Sequence, residues 1–174
     1  MDYMMSENLF IKSEGEINMN FEYTFPPTDQ REIKNLEEKY NIKLPDEYRQ
    51  FLLLNNGGKA EKRRFVTNDA GKEGTVESSI VLFFPLTTET NLNLEEMFNK
   101  YNLGKVVPSH FFPIGYSIGE SLVCLLLEGE GKGNLYYCDM DYFEQDNELL
   151  DEDIKFIAKD FTTFIKELKA PPKS

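Results

Sequence analysis

The chain has 174 residues, 40% hydrophobic and 13% aromatic, enough apolar material for one domain with a real core, which excludes a disordered chain. Its 31 acidic against 19 basic residues give a net charge of -12, which argues against nucleic acid and anionic membranes as direct partners and suits a basic protein. No apolar run reaches the length of a membrane span, and Asp2, Glu7, Glu14 and Glu16 interrupt any signal-like stretch, so a cytoplasmic protein is expected.

Residues 1–27 read as an N-terminal extension, partly ordered, in which Phe21, Tyr23 and Phe25 alternate with polar residues as in a short strand. A single domain is expected over 28–169, followed by a tail at 170–174. It opens with two short amphipathic helices. Ile33, Leu36 and Tyr40 recur at helical spacing in the first, with Asp29 and Glu32 in the form of a capping box and Asn41 as the exit residue. Pro45 suits the first position of the second, where its missing N–H costs nothing. Tyr48, Phe51, Leu52 and Asn55 then share a face, and Gly57 can take the positive φ that stops the helix.

Lys59, Lys62, Arg63 and Arg64 follow as a basic cluster beyond the helix end, favoured there by the helix dipole. Asn68 to Gly71, with Gly74, predicts a turn. The β-branched stretch from Thr75 to Phe84 predicts a strand, and its run from Ile80 to Phe84 a central one, buried on both faces. Asn93 suits the cap of a short helix with Leu94, Met97, Phe98 and Tyr101 on one face, ended by Gly104. His110, the sole histidine, has no Cys or His partner at metal spacing and reads as a loop or edge residue.

A strand over Phe111 to Tyr116 leads to a hairpin, Ser121 to Leu127 and Asn134 to Cys138, with a tip of glycines alternating with charges. Gly133 follows Lys132 and a strand follows that, which removes the nucleotide-loop reading, since that loop needs a Ser or Thr and then a helix. Cys124 and Cys138 each lie in an apolar run and read as a buried, reduced pair able to face each other across neighbouring strands. The last element is expected to be one helix from Asp151 to Leu168, with Ile154, Ile157, Ala158, Phe161, Ile165 and Leu168 along its stripe. The expected fold is α+β: a largely antiparallel sheet of about five or six strands, packed by the N-terminal helix pair and the C-terminal helix.

Several of these stretches carry a resemblance. Leu44-Pro45-Asp46-Glu47-Tyr48 with Phe51-Leu52 and Asn56-Gly57-Gly58, then Phe112-Pro113-Ile114-Gly115, then Ile157 to Ile165, resemble in order and spacing the SUKH superfamily, the Smi/Knr-like proteins. The resemblance runs from about Asp29 to Leu168 and implies a binding role: an immunity protein, of antitoxin type, that covers a cognate toxin, with no cofactor and no reaction of its own. A nuclease, with its basic cleft, is one such toxin. A regulatory or scaffolding adaptor is the alternative that the same resemblance implies; fungal relatives of that kind carry long disordered flanks.

The acidic residues concentrate between Glu120 and Asp153, an interval in which only Lys132 is basic. A calcium loop at Asp139-Met140-Asp141 lacks the glycine and the bidentate glutamate of its pattern. Paired carboxylates for glycoside hydrolysis require a separation that sequence spacing does not give. The remaining readings are a solvated loop and a partner-facing surface. On the second, Glu120, Asp139, Asp141, Glu144 and Asp146 would steer a basic partner, while Tyr136, Tyr142 and Phe143 would supply its anchors.

Overall fold

The computed structural model describes residues 19–68, 75–87, 89–140 and 149–171. The predicted turn after Asn68 and five of the proposed site residues, Asp141, Tyr142, Phe143, Glu144 and Asp146, lie outside them, as do residues 1–18 and 172–174.

Strand β1 (Phe21–Phe25) precedes helices α1 (Gln30–Tyr40) and α2 (Asp46–Leu54). Asp29 caps α1 as predicted, accepting from the Glu32 N–H at 2.9 Å, but Glu32 does not return to the backbone: it takes the Thr28 hydroxyl at 2.5 Å. Asn41 ends the helix in the left-handed region, φ 53°. The Glu37 carboxylate accepts the Leu44 N–H at 2.7 Å, which fixes the link between the two helices. Pro45 stands one position earlier than expected, as the N-cap of α2.

α2 stops at Leu54, and Asn56-Gly57-Gly58 is already strand β2 (Asn56–Ala60). Gly57 has the predicted positive φ, 71°, but uses it inside the sheet. A Cβ there would lie 2.6 Å from the Phe83 carbonyl oxygen, and one at Gly58 would lie 2.2 Å from that of Tyr23. Asn56, 2% exposed, joins the segments around it: its amide donates to the Pro26 carbonyl at 2.8 Å and accepts the Leu86 N–H at 2.7 Å.

β3 (Arg64–Val66) and β4 (Glu77–Phe83) come next. Helix α3 (Leu94–Met97) follows and widens into a π turn over Phe98–Leu103. Asn93 caps α3, and Leu94, Met97, Phe98 and Tyr101 are all buried, as their spacing predicts. β5 (Phe111–Ser117), β6 (Leu122–Leu126), β7 (Leu135–Cys138), β8 (Ile154–Ala158) and α4 (Phe161–Glu167) complete the chain.

The fold is α+β with a large antiparallel sheet, which corrects the expected five or six strands. Eight strands are present among the described residues, in the order β1-β2-β4-β5-β6-β7-β8, with β3 beside β4. The added strands are short segments that composition hides, such as the glycine-rich β2. The second correction concerns 151–168. Instead of one helix, a 3₁₀ turn at Asp151–Asp153 leads into β8, and only Phe161–Glu167 is helical. Ile154 pairs with Cys138 and Phe156 with Tyr136, so ladder hydrogen bonds override the helical spacing. Asp160 starts the helix by accepting the Thr163 N–H at 2.7 Å. β4 is internal, but Val81 on it is 37% exposed, so it is not buried on both faces as expected.

Rings hold the layers together. Phe51 of α2 meets Phe83 of β4 at 5.1 Å and Phe161 of α4 at 4.9 Å, while Phe164 of α4 meets Phe65 of β3 at 5.9 Å. Burying each such side chain is worth about 1.5–3 kcal/mol. Phe98 bridges Tyr40 of α1 and Phe112 of β5. Across the hairpin, the Cys124 and Cys138 sulfurs lie 3.8 Å apart, free and buried. Among the described residues, one hydrophobic cluster draws its buried side chains from Ile33 through Leu168, with Met19 and Phe21 packed against it.

Candidate partner-binding surface

The β5–β6 turn, the end of β7 and the start of β8 meet at one end of the sheet. The β5–β6 turn closes with the Ser117 N–H donating to the Ser121 carbonyl at 2.8 Å, and Gly119 and Glu120 both take positive φ, 80° and 64°. A non-glycine residue in that region costs conformational energy, and here it turns the Glu120 side chain into solvent. At the exit of β7, the Met140 N–H donates to the Ser121 hydroxyl at 2.9 Å, and the Asp139 N–H to the Asp153 carbonyl at 2.8 Å. These two bonds gather the β5–β6 turn, the end of β7 and the start of β8.

Glu120, Asp139, Asp151, Glu152 and Asp153 are therefore collected by backbone geometry at one end. Within the group Asp153 folds back: its carboxylate accepts the Leu150 N–H at 3.2 Å. Two aliphatic side chains stand out in the same place, Ile118 at 61% and Leu150 at 60% exposure. Sequence reading missed both, although an isoleucine directly before the turn glycine was a visible signal. Of the proposed site residues that are described, the structure brings Glu120 and Asp139 together and leaves Tyr136 apart. The Tyr136 ring is half-buried in the sheet, against Phe111 at 5.1 Å and Phe156 at 5.8 Å.

Perturbed ionisation marks other places. Lys39 and the Tyr40 hydroxyl hold the Glu95 carboxyl below the usual glutamate range, and Arg63 with Lys59 does the same for Glu22. Burial pushes the Tyr48 and Tyr116 hydroxyls and the Cys124 thiol upward. Each shift favours the form already dominant at neutral pH, whereas a general acid or base needs its pKa near that pH. These are the signatures of structural pairs and burial. His110 is exposed, just before β5. Among the described residues no group of three or more His, Cys, Asp or Glu side chains is placed to hold a metal ion.

Among the cavities lined by described residues are an open one of about 920 Å³ between α1 and α2 and one of about 270 Å³ between α1 and α3. No helix among the described residues is long and apolar enough to cross a membrane. What the fold presents is an antiparallel sheet with helices packed on it and an acidic group of side chains at one end. The profile of the SMI1 / KNR4 family (SUKH-1) matches residues 27–167, and the chain belongs to that family. No curated protein matches the chain significantly.

Proposed function

We propose that this protein is an immunity protein of antitoxin type, which binds a cognate protein toxin and neutralises it by covering its working cleft. The observation that carries the reading is the end of the sheet, where backbone bonds collect the segments of Glu120, Asp139 and Asp151 to Asp153, with the exposed Ile118 and Leu150 on the same segments. Membership of the SMI1 / KNR4 family supports it, as does the net charge of -12. Carboxylates speed the approach of a basic partner, and desolvated apolar groups at the centre of a contact slow its departure. A nuclease suits this surface, because a cleft that binds phosphates must be cationic. The complex would form in the cytoplasm, and the protein would need no reactive centre or cofactor.

The test is co-expression with a candidate toxin domain, sought in the neighbouring gene. Cells carrying both should grow, and cells carrying the toxin with a Glu120→Lys, Asp139→Lys, Asp141→Lys, Glu144→Lys and Asp146→Lys variant should be killed. Growth with a folded charge-reversed variant would remove this surface from the account, and killing despite the unaltered protein would remove the function.

A further inference from the structure

The open groove of about 920 Å³ between α1 and α2 has the opposite electrical character to the rest of the molecule. Arg31, Lys34, Lys43 and Arg49 line it against Glu37, Glu38 and Asp46, on a chain whose net charge is -12. Two of those three carboxylates are committed. Glu37 accepts the Leu44 N–H at 2.7 Å and lies 4.0 Å from the Arg49 guanidinium, and Asp46 pairs with that same guanidinium. Arg31, Lys34 and Lys43 are exposed and form no ion pair among the described residues, so three uncommitted cations face one uncommitted carboxylate, Glu38.

The lining between the charges is aliphatic. Ile33 is buried, and Ile42 and Leu53 are partly so. In the same wall the Nε of Arg49 is buried with no hydrogen-bond partner, a donor left unmet. Among the described residues no aromatic side chain lines the groove, so a nucleic acid strand would find cations there without the stacking surfaces that hold its bases. An extended or helical peptide with carboxylates and an aliphatic side chain matches both features: its charges meet the rim and its apolar group meets Ile42 and Leu53.

We infer that the α1–α2 groove is a second docking surface, one that takes an acidic segment of another protein carrying an aliphatic anchor. It is distinct in place and in sign from the surface proposed for the toxin. The protein would therefore hold a basic partner at its sheet end and an acidic one between its first two helices.

The probe is a fluorescein-labelled helical peptide with leucine along one stripe and glutamate elsewhere, titrated against the full chain by fluorescence anisotropy. Saturable binding is expected, and the Arg31→Glu, Lys34→Glu, Lys43→Glu variant should lose about tenfold or more in affinity. A control variant, Lys62→Glu, Lys105→Glu, Lys132→Glu, changes the net charge equally at exposed sites elsewhere and should bind as the parent does. Circular dichroism should give both variants the parent's spectrum, since all six side chains are on the surface or its edge. Absence of saturable binding, or equal weakening in both variants, would overturn the inference. So would displacement of the peptide by a single-stranded oligonucleotide, or a change in sedimentation of the groove variant, which would name a nucleic acid or a second copy as the occupant.

Discussion

Glu47 shows how one side chain can join distant parts of this chain. Its carboxylate accepts the N–H groups of Phe161 and Thr162, at 2.7 and 3.1 Å, and so meets donors that the first turn of α4 leaves without helical partners. The bond links α2 to the last helix across 114 positions of sequence. Glu47→Ala should cost about 1–2 kcal/mol in urea unfolding, with Glu47→Gln losing less because its amide oxygen still accepts. An unchanged midpoint in Glu47→Ala would contradict this role. The glycines of β2 are constrained more severely. Gly58→Ala adds a Cβ within 2.2 Å of a carbonyl oxygen at φ 122°, so the strand must shift; a loss of about 3 kcal/mol or more is expected from thermal unfolding, and a loss under about 1 kcal/mol would mean the contact is not real. The letters of both motifs are plain in the sequence. Their purpose is not, because each is a contact with a residue far along the chain.

At the scale of elements, the helices with good local signals were legible. Asp29, Asn41, Pro45 and Asn93 mark ends by interactions within a few residues, and α1, α2 and α3 lie where those marks place them. The stretch 151–168 misleads for the opposite reason. Ile154, Ile157 and Phe161 satisfy helical spacing, yet β7 offers Ile154 to Ala158 an open edge, and only Lys159 and Asp160 separate strand from helix. Cross-strand pairing is a tertiary fact that no window of the sequence contains. Between elements, Glu95 of α3 ties itself to Lys39 and Tyr40 of α1, the hydroxyl donating at 2.6 Å. The folded-state pKa of Glu95 lies below the ordinary 4.5, mainly through the Lys39 bond, so this link contributes its stability above that pH and loses it as pH falls through the depressed value. The stability difference between the parent and Glu95→Gln should thus be largest near neutrality and shrink in acid. Solvent screening keeps it small, since the Lys39 side chain is 63% exposed. A difference that stays constant from neutral pH into acid would contradict the pairing.

For the whole molecule, charge is the organising property. The sequence places its excess of carboxylates between Glu120 and Asp153, and the fold draws Glu120, Asp139 and Asp151 to Asp153 to one end by the bonds of Ser121 and Asp153. Residue spacing alone could locate the charge but not its neighbours. Tyr136, expected as an anchor, is half-buried against Phe111, while Ile118 and Leu150 are exposed. The free cations of the α1–α2 groove went unnoticed because Arg31 and Lys34 stand on α1 and Lys43 in the link after it, and they line one groove only when α2 packs beside them.

On the proposed function, this protein acts by presenting shape and negative potential to a basic macromolecule. The decisive measurement is stopped-flow association of the purified chain with a candidate toxin domain. The account predicts a 1:1 complex that abolishes toxin activity, with an association rate that falls steeply as salt rises and falls again, by about tenfold or more, in the Glu120→Lys, Asp139→Lys variant. An association rate indifferent to salt and to those substitutions, or a toxin that stays active when bound, would contradict it.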